Sequence, residues 1–286
     1  MTSTKLRKAV FAGSWYPSNP AECEREINSF LAEGLKIDLP AGDRVGGIVP
    51  HAGWYFSGSI ACNVISSLRS DDPPDVLVVF GMHLHPNDRC VMMAEGAWET
   101  PFGEIAVEQG LAGELAKQFS FRLESHNNFN QDNTIELQLP FIKYFFENAR
   151  IVAMGVPPAQ SSLAIGRAVV DIAKRLELNV KVIGSTDLTH YGPNYGFVSK
   201  GAGHEAVDWV RRQNDRRIID LMLEMDAVEV INEALASQNA CCAGAAATAI
   251  ETAKHLGAKQ ANSVAYATSY DKNPADSFVG YVGIVF

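Results

Sequence analysis

"VGGIVPHAGWYFSGSIACNVISSLRSDDPPDVLVVFGMHLH", residues 45–85, holds the pattern from which the fold is read. VGGIVP is an apolar run of strand length that leads into His51, and a helical period resumes in SGSIACNVISSLRS. DVLVVFG is a continuous apolar run bounded by Pro73, Pro74 and Gly81, as expected of a strand buried on both faces. Each strand ends at histidine: His51 after the first, His83 and His85 after the second.

The alternation extends along the chain. Upstream, residues 19–36 read as a helix in which Asn19 caps, Pro20 suits the first turn, and Ile27, Phe30 and Leu31 share a face. Downstream, helices are predicted over 134–146, 161–178, 206–225 and 245–257, and strands over 149–156 and 180–185. NSVAYATSYD and SFVGYVGIVF read as two β segments around a turn. The expectation is an α/β protein: one three-layer α/β/α domain over residues 1–286, with a largely parallel or mixed sheet covered by helices on both faces. No internal repeat, low-complexity tract or linker argues for a division.

Composition narrows the function. Apolar residues make up 47% and charged residues 20% of the 286-residue chain, enough for a large core. A net charge of −9 without a sustained Lys/Arg cluster argues against a nucleic-acid partner, leaving small molecules or proteins. The N-terminus lacks the apolar stretch of a signal peptide and no segment reads as a membrane span, so a cytoplasmic protein is expected. Five cysteines, with Cys241 and Cys242 adjacent, argue for reduced thiols and make a thiolate ligand available.

In open α/β sheets, ligands gather beyond the carboxyl ends of the strands. There this sequence places His51, then His83 and His85, then Asp187 and His190 of STDLTHYG. Asp187 reads either as a partner of His190 in proton transfer or as a helix cap, with His190 packed on Tyr191. Cys241 and Cys242 precede a small-residue helix, whose N-terminal dipole favours a thiolate. Glu136, on an otherwise apolar helical face, reads as a support for the site or as a surface acid.

Taken in order and spacing, AGSWYP (12–17), PHAGWYFSG (50–58), the Gly81 loop with His83, NTIELQLPF (133–141), STDLTHYG (185–192) and the Cys241 segment resemble the Memo family. That family includes component B of the AmmeMemoRadiSam system, and its fold is similar to class III extradiol dioxygenases of the LigB type. The resemblance implies a single α/β/α domain with a metal-capable pocket lined by His51, His83 and Cys241, with Asp187 and His190 beside them. Three differences stand out. GMHLH replaces the usual GPxHH, which leaves His85 as an alternative to His83. NTIE replaces HSIE, which puts Asn133 where a histidine is common. Cys241-Cys242 replaces Cys-Gly, which leaves either sulfur as the ligand.

Two imidazoles and one anion suit Fe(II) foremost, with Cu or Zn as softer alternatives. The activity expected is metal-dependent, dioxygenase-like oxidation of a small phenolic or enolic substrate, with His190 as acid–base catalyst. The rival expectation is a non-catalytic adaptor that binds a ligand or peptide in the same pocket, for which Trp15, Tyr16, Trp54, Tyr55, Phe56, Tyr191 and Tyr195 would supply contact area. HExxH, Gly-x-Ser-x-Gly and Walker motifs are absent, so a conventional hydrolase or NTPase has no motif support.

Overall fold

A computed structural model describes residues 5–34 and 42–286. The first half contains β1 (Leu6–Arg7), α1 (Pro20–Glu33), β2 (Gly46–Val49), α2 (Trp54–Ser67), β3 (Val76–Gly81), β4 (Val91–Met93), β5 (Ala97–Thr100), β6 (Gly103–Ala106), α3 (Gln109–Gln118), β7 (Arg122–Glu124), α4 (Asn133–Glu136) and α5 (Leu139–Phe145). There follow β8 (Arg150–Gly155), α6 (Gln160–Arg175), β9 (Val180–Ser185), β10 (His190–Tyr191), α7 (His204–Trp209), α8 (Asp215–Leu223), α9 (Ala227–Ser237), α10 (Ala243–Leu256), β11 (Asn262–Thr268) and β12 (Phe278–Val285).

Nine strands form a mixed sheet in the order β10-β12-β2-β9-β3-β8-β4-β7, with β11 paired to β12. Its centre, β2-β9-β3-β8, is parallel, and antiparallel pairing begins at β12 on one side and β4 on the other. The central strands are buried along almost their whole length because helices cover both faces. α1, α2 and α5 pack together on one face, and α6, α9 and α10 on the other. A separate three-stranded sheet, β1-β5-β6, pairs Leu6 with Ala97 across 91 positions of chain and is invisible to local pattern reading.

Local chemistry explains most boundaries. The Asn19 side chain accepts from the backbone N–H groups of Ala21 and Glu22, Pro20 opens α1, and the helix ends at Gly34 with φ 65°. Residues 35 and 36, the end of the predicted helix, lie outside the described residues. The predicted helix over 134–146 is two helices. Pro140 has no N–H to continue an i→i−4 ladder, so α4 closes at Leu137 and α5 begins beyond Gln138. The predicted helix over 206–225 is interrupted by a π turn at Val210–Asn214. In α10 the alanine run is a packing surface: it lies between the sheet and α6, and a Cβ on Gly184 of β9 would press on Ala249.

Candidate metal centre and its cleft

Three adjacent parallel strands deliver the site. β2 ends one residue before Pro50-His51, β3 before Met82-His83, and β9 before Thr186-Asp187. The His83 loop is held in one shape. Met82 adopts a left-handed φ of 69° and its N–H donates to the Thr134 hydroxyl at 2.7 Å. A side chain on Gly81 would overlap that same hydroxyl. From the other direction, the turn before α10 brings in the cysteine pair, with Cys241 N–H donating to Asp187 O at 3.1 Å and Cys242 N–H to Thr186 Oγ1 at 3.1 Å.

The outcome is a compact donor set. One ligand atom from each of His51, His83, Cys241 and Cys242 lies within 4.8 Å of the others. The His51 and His83 rings stand nearly perpendicular with centroids 5.1 Å apart, and His51 Nε2 is 3.2 Å from Cys241 Sγ. His85 lies outside the group: its backbone N–H donates to Asp88 in the exposed loop beyond β3.

Hydrogen bonding fixes the His51 tautomer. The Ser185 hydroxyl donates its only proton to Thr134 O at 2.7 Å, so at 3.0 Å from His51 Nδ1 it can only accept. Nδ1 therefore carries hydrogen, and Nε2, facing the sulfur, is the ring nitrogen that could take a metal. Burial works against a charged His51, but the charges of Asp187 and Cys241 outweigh it and raise the imidazole to about 9. Burial likewise disfavours a Cys241 thiolate, yet the Cys242 thiol, His51 and His83 bond to the sulfur and bring its pKa well below the usual range. Cys242 moves the other way, as burial and the neighbouring sulfur hold it protonated. These shifts all favour a thiolate on Cys241 facing a charged His51, with Cys242 as the thiol.

These residues fit a metal ion. Metal–nitrogen and metal–sulfur bonds of about 2.0–2.3 Å place neighbouring ligand atoms roughly 3–4 Å apart. The 3.2 Å separation of His51 Nε2 from Cys241 Sγ falls in that range.

Comparison with known proteins identifies the family. The profile of the family described as Memo-like protein matches residues 7–285. The chain belongs to that family. Among Memo relatives, a MEMO1 family protein of Thermococcus onnurineus is 31% identical over 293 residues, covering 98% of this chain and 99% of the relative. One from Pyrococcus abyssi is 32% identical with the same coverage. Among solved structures, an uncharacterised protein of Escherichia coli K12, JW3007, superposes with a TM-score of 0.53 at 9% identity, covering 84% of this chain and 98% of that one, a likeness of fold alone.

Beside the donor set, Asp187 is buried and turned toward His51. Its Oδ1 accepts the His51 backbone N–H at 2.7 Å, and its Oδ2 is 3.9 Å from His51 Nε2. Burial pushes this carboxyl up while the His51 charge pulls it back. His190 is held by a different group: its Nδ1 is 3.1 Å from Leu188 O, which fixes the proton there and leaves Nε2 as an acceptor, and its ring meets Tyr195 edge-on at 4.9 Å. Beneath it, buried Asp215 accepts from the N–H and hydroxyl of Thr189 at 3.1 and 2.5 Å and from Tyr266 at 2.7 Å, fixing the backbone next to His190.

Asn133 acts on backbone, donating to His51 O at 3.0 Å. Glu136 does not reach the donor set. It accepts from Val10 N, Phe11 N and Tyr16 Oη at 2.7–3.0 Å, and so anchors the segment that brings Ser14 and Trp15 to the cleft. Of the aromatics singled out in the sequence, Tyr16, Trp54 and Tyr191 are core, while Trp15, Tyr55 and Tyr195 are exposed. His51, His83, Asp187 and His190 open onto a cleft of about 540 Å³ whose far wall, Ser269 to Tyr281, comes from the last turn and strand. Sequence reading missed that wall, and also Ser185 and Thr134, which no spacing or period marks as partners of a histidine. All five cysteines are free, and no helix among the described residues is long and apolar enough to cross a membrane.

Proposed function

We propose that the protein is a metal-dependent oxidoreductase of dioxygenase-like type acting on a small phenolic or enolic substrate. The observation that carries this reading is the convergence of His51, His83 and Cys241 on one point, with both imidazoles opening onto a cleft also lined by His190. His51, His83 and Cys241 would hold the ion, with Cys242 donating S–H to the thiolate from the side. Bound iron or copper would supply redox chemistry toward O₂, whereas zinc would supply Lewis acidity alone. Fe(II) is the ion proposed first.

The residues of the chain have separable tasks. His190, with Nδ1 engaged by Leu188 O, would accept the substrate hydroxyl proton at Nε2. Asp187 holds the His51 backbone and balances the charge of its ring. The test is oxygen consumption with a panel of catechols by Fe(II)-loaded protein. His190→Ala is expected to lower kcat by roughly 10²–10⁴-fold at unchanged metal content. Absence of turnover by the wild type, together with saturable peptide binding without metal, would favour the adaptor reading instead.

Metal affinity carries its own pH signature. With the Cys241 thiol shifted toward the thiolate, the proton that binding would displace is the one on His51 Nε2, whose imidazole is raised to about 9. Below that pH, affinity is expected to fall about tenfold per unit of acidification, with one proton released per ion, and to level off above it. Chelator competition between pH 6.5 and 9.5 measures this (the range spans roughly His51's ordinary and raised values). A flat profile would contradict the ion pair.

A further inference from the structure

We infer that Asp215 is a positioning residue for His190 that acts through a peptide group: its carboxylate polarises the Leu188–Thr189 amide, whose carbonyl holds the Nδ1 proton of His190. The inference rests on the reading of His190 as the base of the cleft and names the group that would make it one.

The chain of contacts is continuous. Asp215 Oδ1 accepts the Thr189 N–H at 3.1 Å. The carbonyl on the other side of that same peptide bond, Leu188 O, lies 3.1 Å from His190 Nδ1. The N–H and C=O of one amide share electron density by resonance, so a negative charge against the N–H makes the oxygen a stronger acceptor. A stronger acceptor at Nδ1–H fixes the tautomer and raises basicity at Nε2, the nitrogen left free to take a proton. The arrangement is a carboxylate–histidine pair with one amide inserted between its members.

The surroundings hold a charge at that place. The π turn Val210–Asn214 sets Asn214 and then Asp215 against Thr189, and both side chains are buried. Asn214 Nδ2 donates to Thr189 Oγ1 at 3.0 Å, so the hydroxyl proton is directed at Asp215 Oδ1, 2.5 Å away. Tyr266 Oη donates to Oδ2 at 2.7 Å. Among the described residues these partners are all neutral, and no cation cancels the carboxylate. Burial raises Asp215 only to about 6, which leaves it charged at neutral pH. Gly280 completes the site from β12. A Cβ there would overlap Asp215 Oδ2, and its backbone clamps the amide, accepting from Leu188 N at 2.8 Å and donating to Thr189 O at 3.0 Å. An asparagine in place of Asp215 would satisfy the Thr189 donors equally well; what it lacks is the charge.

The test is nuclear magnetic resonance of the reduced, metal-free protein labelled at the histidine ring nitrogens. Labelling leucine carbonyl carbon with threonine nitrogen isolates the Thr189 amide, because Leu188-Thr189 is the sole Leu-Thr step in the sequence. In the wild type the neutral His190 ring is expected to carry its proton on Nδ1. In Asp215→Asn the Thr189 amide proton and the His190 Nδ1 proton are both expected to move upfield, since a bond to a charged acceptor is roughly twice as strong as one to a neutral acceptor. Tyr266→Phe removes one bond to Asp215 and keeps the charge, so it is expected to leave the His190 signal in place. A carboxylate that only anchored backbone would move the Thr189 signal alone, and that result overturns the inference. So does a wild-type His190 protonated on Nε2, a measurement that needs no variant, or a shift in Tyr266→Phe as large as in Asp215→Asn. In Fe(II)-loaded protein Asp215→Asn is expected to lower kcat with catechol about tenfold at unchanged KM, and an unchanged kcat also overturns it. The two readings fail separately: coupled shifts at Thr189 and His190 without turnover by the wild type would uphold the relay and sink the oxidoreductase.

Discussion

Replacing Cys241 by serine is expected to lower affinity for iron, copper or zinc at least about a thousandfold, while Cys242→Ser costs about tenfold. The difference follows from the two sulfurs' surroundings. Cys241 Sγ sits 3.2 Å from His51 Nε2 and accepts the Asp187 backbone N–H at 3.3 Å, a donor set that stabilises negative charge. Cys242 sits deeper, is held protonated, and donates toward its neighbour across 3.9 Å. Removing the first takes away the anionic ligand; removing the second weakens the thiolate's support, and a serine hydroxyl partly replaces it. Anaerobic chelator competition reads both affinities, and melting of the metal-free variants checks that the fold survives. Equal losses would make both sulfurs ligands, and a larger loss at Cys242 would reverse their roles.

Trp54→Ala is expected to destabilise the fold by about 3–5 kcal/mol, the upper range for truncating a buried side chain. The indole is buried and stacks on Phe141 at 4.1 Å with planes 13° apart, while Phe30 meets it edge-on at 6.0 Å. α1, α2 and α5 therefore meet at one side chain. Its Nε1–H also donates to Leu137 O at 3.1 Å, which satisfies a carbonyl at the break between α4 and α5. Trp54→Phe keeps much of the stacking but leaves that carbonyl unpaired, so a smaller loss of about 1–2 kcal/mol is expected. Urea titration measures both. A loss below about 1 kcal/mol for the alanine variant would mean that the three helices hold without this contact.

The parallel centre of the sheet was legible because its strands are short, predominantly apolar runs, unbroken in β3 and interrupted in β9 only by Lys181 before its final Ser185. The ends of those runs placed His51, His83 and Asp187, since a residue just beyond a buried parallel strand has little choice but the rim. GMHLH alone could not separate His83 from His85; the left-handed Met82 turn, locked by Thr134 from a helix 52 positions away, is what parts them. Ser185 was illegible for the same reason. Its role depends on a carbonyl 51 residues distant, and nothing in the local pattern GSTD encodes that partner. Pro140 did signal the break in the 134–146 helix, but the strength of the surrounding apolar period hid it.

The far wall of the cleft has a consequence of a different kind. Ser269, Asn273 and Ser277 lie in a turn between β11 and β12, and that turn supplies none of the imidazole or sulfur atoms of the centre. Those atoms sit at the ends of β2 and β3 and before α10. On the proposed reading, metal binding and ligand choice would therefore be written in separate stretches of the gene. Substitutions between residues 269 and 277 could change which molecule is accepted while the chemistry underneath is inherited intact, so relatives that share every ligand atom need not share a substrate.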